Sequence, residues 1–199
     1  MNISFHDALV VIDVQNDFCP GGALPVPEGE RVVPALNRYI ERFVASGSRI
    51  FATRDWHPPN HLSFKERGGI WPRHCVKGTP GASLHAGLGL PPGCEIVSKG
   101  SDPDQEAYSA FQGTGLAKRL RDTGVRRLFV GGLATDFCVK ETVLDARKEG
   151  MEVFFLEDAS RGVGVSPGDV SDAIVRMREA GARTISFSDL GAGADPNVD

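Results

Sequence analysis

Cys138 stands in the segment GGLATDFCV, where an apolar run breaks at paired glycines and a helical pattern begins. A thiol in the first turn of a helix lies near unpaired backbone N–H groups and the positive end of the helix dipole, which favour the thiolate. The alternative is a small apolar side chain packed against a sheet, since free cysteine is commonly buried. Because a strand–glycine–helix turn is typical of segments that present nucleophiles, we predict that Cys138 is one.

Two more ionisable residues end apolar runs, Asp13 in ALVVID and Lys99 in EIVSK. Burial at a strand end raises the pKa of a carboxyl group, and a raised pKa suits a proton shuttle near neutral pH. A lysine ammonium placed beside Cys138 would lower the pKa of the thiol. The alternatives are an aspartate that caps a loop and an ordinary solvated lysine.

A third set of residues has the types and spacing of metal ligands. The segment TRDWHPPNH contains Asp55, His57 and His61, and WPRHC adds His74. Asp55 and His57 are two residues apart, so in an extended chain they can face the same cation. Such a set suits zinc, manganese or ferrous iron and does not decide among them. Loop histidines bonded to the backbone are the alternative, but three histidines and an aspartate within twenty residues favour a metal site.

Aromatic residues and the remaining cysteines complete the candidates. Phe18, Trp71 and Tyr108 fall in loop-like segments, where they can cover the core or form the walls of a pocket for a flat ring. No CxxC pair is present, so we expect no disulfide framework and treat the other cysteines as structural. These are Cys19, Cys75 and Cys94.

Composition restricts the classes of protein that the chain can represent. It has 199 residues, of which 41% are hydrophobic and 24% are charged, as in ordinary globular domains. The formal net charge of −4 and the lack of basic runs argue against nucleic acid and anionic membranes as partners. With no basic leader and no long apolar run at the N-terminus, we expect a cytoplasmic protein. We expect one domain over 1–199, with a flexible tail at 190–199.

The elements that must position these residues alternate along the chain. Nearly continuous apolar runs predict buried strands, and helical patterns separate several of them, the last beginning at Ser166-Pro167. This alternation predicts an α/β fold, a three-layer αβα sandwich around a six-stranded, mainly parallel sheet. The ligand crevice of such a sheet lies beyond the carboxyl ends of its strands, where four candidate side chains would meet. The predicted strands are 8–14, 49–54, 95–99, 126–132, 151–158 and 184–189, and the four side chains are Asp13, Asp55, Lys99 and Cys138.

Five motifs in order, DVQNDFCPGGAL, TRDWHPPNH, WPRHCVKGTPGA, SKG and GGLATDFCV, resemble the nicotinamidase/pyrazinamidase branch of the isochorismatase-like cysteine hydrolases. The resemblance covers roughly residues 8–190. It implies a six-stranded parallel sheet in Rossmann-like order and hydrolysis of nicotinamide to nicotinate and ammonia, as in NAD salvage. It also implies a cis peptide at Leu133–Ala134 and His61 as a further ligand in some relatives. The residues that it implies are Asp13, Lys99 and Cys138 for catalysis and Asp55, His57 and His74 for the metal.

On this basis we hypothesise amide hydrolysis through a thioester on Cys138, with Asp13 as the proton carrier. The backbone N–H groups of Ala134 and Cys138 would bind the oxyanion. The ring would lie between Phe18 and Trp71, its nitrogen on one divalent ion, with Zn²⁺ foremost and Fe²⁺ or Mn²⁺ as alternatives. Phe137 departs from the histidine or tyrosine frequent in relatives, which leaves the polarity of the pocket open.

Two rival functions remain at this point. A carbamoyl or ureido amidohydrolase of the same superfamily would keep the aspartate, lysine and cysteine but would lack the metal ligands. A non-catalytic, metal-binding redox sensor would use Cys138 as its sensing thiol, although no obvious resolving cysteine accompanies it. A nucleotide-binding protein is disfavoured, since no GxGxxG follows the first apolar run. Homo-oligomer formation is left open.

Overall fold

Six strands form one sheet in the computed structural model, which describes residues 1–191. The order across the sheet is β3-β2-β1-β4-β5-β6, and the neighbouring strands all run parallel. The predicted α/β fold and its Rossmann-like order are therefore confirmed. The strands are β1 (Asp7–Ile12), β2 (Arg49–Asp55), β3 (Glu95–Lys99), β4 (Arg127–Leu133), β5 (Glu152–Arg161) and β6 (Arg183–Ile185).

Within residues 1–191, four α-helices cover the two faces of this sheet. Alternate residues of β1 point to opposite sides, Leu9 and Val11 into one apolar core and Val10 and Ile12 into the other. The first core is closed by α1, and the second packs against the other three helices, which gives the three-layer sandwich that the sequence predicts. The helices are α1 (Val32–Ala45), α2 (Leu116–Asp122), α3 (Lys140–Lys148) and α4 (Asp169–Glu179).

Two predicted boundaries near the C-terminus were wrong. Helix α4 begins at Asp169 and not at Ser166-Pro167, because Gly168 has a φ of 98° that interrupts a right-handed helix, and the Asp169 carboxylate accepts a hydrogen bond from the Ser166 N–H. Strand β6 ends at Ile185, and a short 3₁₀ turn held by a Ser186–Asp189 capping box follows it.

The long segment between β2 and β3 contains no α-helix and no strand of the sheet. It forms short 3₁₀ turns at Lys65–Arg67 and Pro80–Ala82 and isolated bridges, among them His57 with Val76. Its three histidine ligand candidates are nevertheless buried. An irregular segment of this length that buries polar side chains is typical of a functional loop.

At the C-terminus, Leu190 is buried and the Gly191 N–H donates to the Met1 carbonyl, so these first two residues of the predicted tail pack against the domain. The rest of that prediction, residues 192–199, lies outside the described residues. Among residues 1–191, the helices are too short or too polar to cross a membrane.

Candidate active site

Four neighbouring strands, β3, β2, β1 and β4, bring Lys99, Asp55, Asp13 and Cys138 to one edge of the sheet. The Lys99 ammonium is buried at the centre of this group, with its Nζ 2.8 Å from Asp13 Oδ2 and 2.5 Å from Asp55 Oδ1. It also donates to Cys138 Sγ at 3.3 Å and to the Ala107 carbonyl at 3.2 Å. One carboxylate oxygen each from Asp13 and Asp55 and the Cys138 sulfur lie within 4.8 Å of one another. The convergence expected from the strand ends is therefore present.

Burial and mutual charge set the ionisation of this group. Burial raises the pKa of Asp13, because its environment holds little solvent, and the Lys99 ammonium only partly offsets this. Burial acts in the same direction on Asp55, but the charge of Lys99 and the nearby His57 ring outweigh it, so the pKa of Asp55 falls well below its usual range. The two carboxylates in turn keep the pKa of Lys99 high despite its burial.

The thiol differs from the expectation for it. Burial, together with the negative charges of Asp13 and Asp55, raises the pKa of Cys138 well above its ordinary value, although Lys99 opposes them. Two carboxylates against one ammonium already leave a net negative charge here, and a thiolate would add another. The prediction of a lowered thiol pKa, made from the helix start and Lys99, was therefore wrong.

The backbone around Cys138 is also more specialised than an ordinary helix start. The peptide between Leu133 and Ala134 is cis, as the resemblance implies. Residues Thr135–Val139 form one π-helical turn before α3, in which the Ala134 carbonyl accepts from the N–H groups of Phe137 and Val139. This turn places the Cys138 side chain at the floor of a pocket.

Asp55, His57 and His74 form the candidate metal site, with one ligand atom from each within 4.8 Å of the others. The Nδ1 atoms of His57 and His74 lie 2.9 and 2.8 Å from the carbonyls of Gly100 and Pro72. Since a carbonyl only accepts, each Nδ1 carries the hydrogen, and in the neutral ring each Nε2 keeps a free lone pair. Histidine ligands held through the other ring nitrogen are typical of metal sites, so these residues fit a divalent cation.

His61 has a different environment from these two histidines. Its Nε2 lies 3.0 Å from the Gln105 carbonyl and therefore carries a hydrogen, while its Nδ1 accepts from Ser63. Its ring stacks on His57 at 4.1 Å between centroids. Both nitrogens are thus engaged in hydrogen bonds, and in this conformation His61 supports the His57 ring without offering a lone pair to a metal.

An aromatic pocket opens above Cys138. All four predicted substrate-binding residues line it, and the Trp71 Nε1–H donates to the Tyr108 hydroxyl at 3.0 Å. Phe137 meets Trp71 edge to face at 5.0 Å between centroids, so an apolar ring occupies the position whose polarity the sequence left open. The residues of this lining are Phe18, Leu24, Val26, Asp55, Trp71, His74, Tyr108, Ala134, Phe137, Cys138 and Val163.

Several residues that hold the site were not singled out from the sequence. The buried Gln15 amide accepts from the Asp55 N–H at 2.7 Å and donates to the carbonyls of Asp55 and Ala82, both at 2.9 Å. The Asp136 carboxylate accepts from the N–H groups of Val163 and Gly164, which fixes one wall of the pocket. These contacts join distant parts of the chain, and no local pattern marks them. Asp17 caps two loops, because its carboxylate accepts from the N–H groups of Ala23 and Cys75.

Comparison with known proteins places this architecture in a family. The isochorismatase domain matches residues 7–189, and the chain belongs to the isochorismatase family. It is 41% identical to the nicotinamidase of Escherichia coli, over 92% of this chain and 95% of that protein. A crystal structure of the pyrazinamidase of Pyrococcus horikoshii in complex with zinc is 52% identical and superposes with a TM-score of 0.87, covering 92% of this chain and 99% of that one. A crystal structure of PnC1 from L. infantum in complex with nicotinate is 38% identical, with a TM-score of 0.86 over 96% of this chain and 98% of the other.

Proposed function

We propose that this protein hydrolyses nicotinamide to nicotinate and ammonia through a thioester on Cys138. The observation that carries the proposal is the buried Lys99 ammonium, which contacts Asp13, Asp55 and Cys138 below an aromatic pocket. A nucleophile, a proton carrier and a cation are thereby held within reach of one small ligand. The relatives named nicotinamidase and pyrazinamidase, and the nicotinate complex of a relative, support this choice of substrate.

In the first half of the reaction, Cys138 Sγ attacks the carboxamide carbon and Asp13 takes the thiol proton. The oxyanion accepts hydrogen bonds from the backbone N–H groups of Ala134 and Cys138, each worth on the order of 3 kcal/mol in such a role. As the intermediate collapses, the C–N bond breaks, and Asp13 returns its proton to the leaving nitrogen to give ammonia. The raised pKa of Asp13 suits both proton transfers.

In the second half, Asp13 accepts a proton from water as the water attacks the thioester carbon. The C–S bond then breaks to give nicotinic acid, which loses its carboxyl proton to solvent as nicotinate, and the sulfur recovers its proton from Asp13. Throughout, the Lys99 ammonium lies 3.3 Å from the sulfur and offsets the negative charge that develops on it.

We further propose that Asp55, His57 and His74 hold one Zn²⁺ ion. Two imidazoles and a carboxylate are a zinc donor set, and the P. horikoshii relative was crystallised with zinc. When bound, the ion supplies a Lewis-acidic anchor for the pyridine nitrogen. Residues of the chain would then hold the ring by its faces, with Phe18 and Trp71 as the walls.

The metal ligands also separate this proposal from its nearest rival. A metal-independent carbamoyl or ureido amidohydrolase has no use for two buried histidines that each bring a ring nitrogen within 4.8 Å of a buried carboxylate. We also infer that the catalytic unit is a single domain, because strands from Asp7 to Ile185 share one sheet. A redox sensor is disfavoured, because a sensing thiol is exposed and has a low pKa, whereas Cys138 is buried and its pKa is raised.

The test is ammonia and nicotinate release from nicotinamide by zinc-loaded protein, with ureido amides assayed in parallel. Cys138→Ala should abolish turnover. Cys94→Ala serves as the matched control, because Cys94 is a partly buried free thiol directly before β3. Rapid acid quenching should trap wild-type protein heavier by one nicotinoyl group on Cys138. Turnover retained in Cys138→Ala, or preference for ureido substrates, would contradict the proposal.

A further inference from the structure

Thr53 lies behind the reacting groups, on β2, and is fully buried. Its hydroxyl is 2.6 Å from Asp13 Oδ1, and the same oxygen accepts from the Asp13 backbone N–H at 3.1 Å. Thr53 therefore contacts Asp13 twice, once through the backbone and once through the carboxylate. Thr53 is not among the residues that line the pocket.

The directions of these two hydrogen bonds are fixed by the atoms involved. The Asp13 N–H can only donate, so the Thr53 oxygen accepts from it and the single hydroxyl hydrogen is directed to Asp13 Oδ1. Asp13 Oδ1 is thereby occupied. Asp13 Oδ2 is buried, lies 2.8 Å from Lys99 Nζ without hydrogen-bond geometry, and has no hydrogen-bond partner among the described residues.

We propose that Thr53 is a positioning residue that makes Asp13 Oδ2 the atom which carries the proton between Cys138, the leaving nitrogen and water. By binding Oδ1, Thr53 fixes the rotation of the carboxylate about its last bond, so that Oδ2 faces the catalytic group. This inference rests on the proposed function and adds to it the identity of the proton-carrying oxygen.

Two further features explain why a threonine serves here. Asp13 has a φ of 47°, in the left-handed region, and its N–H turns away from the regular ladder toward the Thr53 oxygen. Threonine is branched at Cβ, so packing in the strand restricts its χ1 and gives the hydroxyl one direction. Serine would keep the hydroxyl but restrict χ1 less, and valine would keep the shape of the threonine side chain without its hydroxyl.

The experiment compares Thr53→Val and Thr53→Ser with wild type and with Thr142→Val. Thr142 is the matched control, because its hydroxyl is also fully buried and bonded to a backbone group, the Ala110 N–H, away from Asp13. Zinc content and thermal unfolding are measured for every variant, since Thr53 is two residues from Asp55.

We expect Thr53→Val to lower kcat about 10- to 100-fold, as for loss of a hydrogen bond to a charged group, with KM changed less than about threefold. Thr53→Ser should recover most of that loss, and Thr142→Val should stay within about twofold of wild type. In a crystal structure of Thr53→Val, the Asp13 carboxylate should be rotated away from its wild-type orientation.

Three results would overturn the inference: an unchanged kcat in Thr53→Val, a serine variant as slow as the valine variant, or an unrotated Asp13 carboxylate. Failure of the proposed function is seen separately, in wild-type protein that releases no ammonia from nicotinamide. In that case the crystal structure of Thr53→Val still tests separately whether Thr53 orients the Asp13 carboxylate.

Discussion

Substitution of Gly100 by alanine tests the support of the metal site most directly. Gly100 follows β3 directly, has a φ of 61°, and offers its carbonyl to His57 Nδ1 at 2.9 Å. A Cβ built at this position would lie 2.5 Å from Cε1 and 2.7 Å from Nδ1 of the His57 ring. These distances are about 1 Å shorter than ordinary carbon contacts, so the ring must move.

The magnitude follows from two separate effects. An alanine in the left-handed region costs about 1–2 kcal/mol of folding free energy wherever it occurs. Displacing His57 adds about 1 kcal/mol for its lost hydrogen bond and, by disturbing a ligand's support, should weaken zinc binding about 10- to 100-fold.

Gly47→Ala separates these effects, because Gly47 has a φ of 67° and an added Cβ there meets nothing within 4 Å. Zinc affinity is measured by competition with a chelator, and stability by chemical denaturation of the metal-free proteins. We expect both variants to lose stability but only Gly100→Ala to lose zinc affinity. Equal zinc affinity in the two variants would refute the close-contact argument.

Three further predictions concern the groups around Asp55. Lys99→Met should destabilise the fold by about 3–5 kcal/mol and abolish turnover, because it leaves two buried carboxylates without their cation; a melting temperature equal to wild type would contradict this. Gln15→Met should weaken zinc binding about 10- to 100-fold by releasing the Asp55 backbone, and unchanged binding in chelator competition would exclude that support. In metal-free protein, burial raises the pKa of Cys138, so its thiolate fraction is small at neutral pH and grows as the pH rises. The rate of alkylation by iodoacetamide, followed by peptide mass, should therefore keep increasing beyond pH 9. A rate that levels off near pH 7 would show that the pKa is lowered.

The sequence predicted the site residues that lie at strand ends more successfully than those that support them. Asp13 and Lys99 end apolar runs and Cys138 follows one, and these local signals, together with the rule for parallel sheets, predict their convergence. Thr53 lies inside the β2 run and reads as an ordinary strand residue. Its role depends on Asp13, forty residues away, and only the pairing of β1 with β2 brings the two together.

The ionisation of Cys138 was beyond prediction for a related reason. Its local sequence suggests a helix start, which favours a thiolate, whereas its pKa is set by burial and by carboxylates from two other strands. Desolvation is a property of the packed molecule and has no counterpart in the spacing of residues. The errors in the start of α4 and the end of β6 have a similar cause, because in each case a local turn sets the boundary and the apolar pattern does not show that turn.

The position of Asp55 has an evolutionary consequence. Its Oδ1 contacts Lys99, while its Oδ2 lies 3.6 Å from His57 Nε2. A single side chain thus neutralises the buried ammonium and belongs to the candidate metal site. Selection for a new substrate that needs no anchoring ion cannot simply discard this carboxylate, because the ammonium beside it would lose half of its counter-charge. A lineage that loses the ion must therefore replace the counter-charge of Lys99 in the same step, or pass through an ancestor with reduced activity.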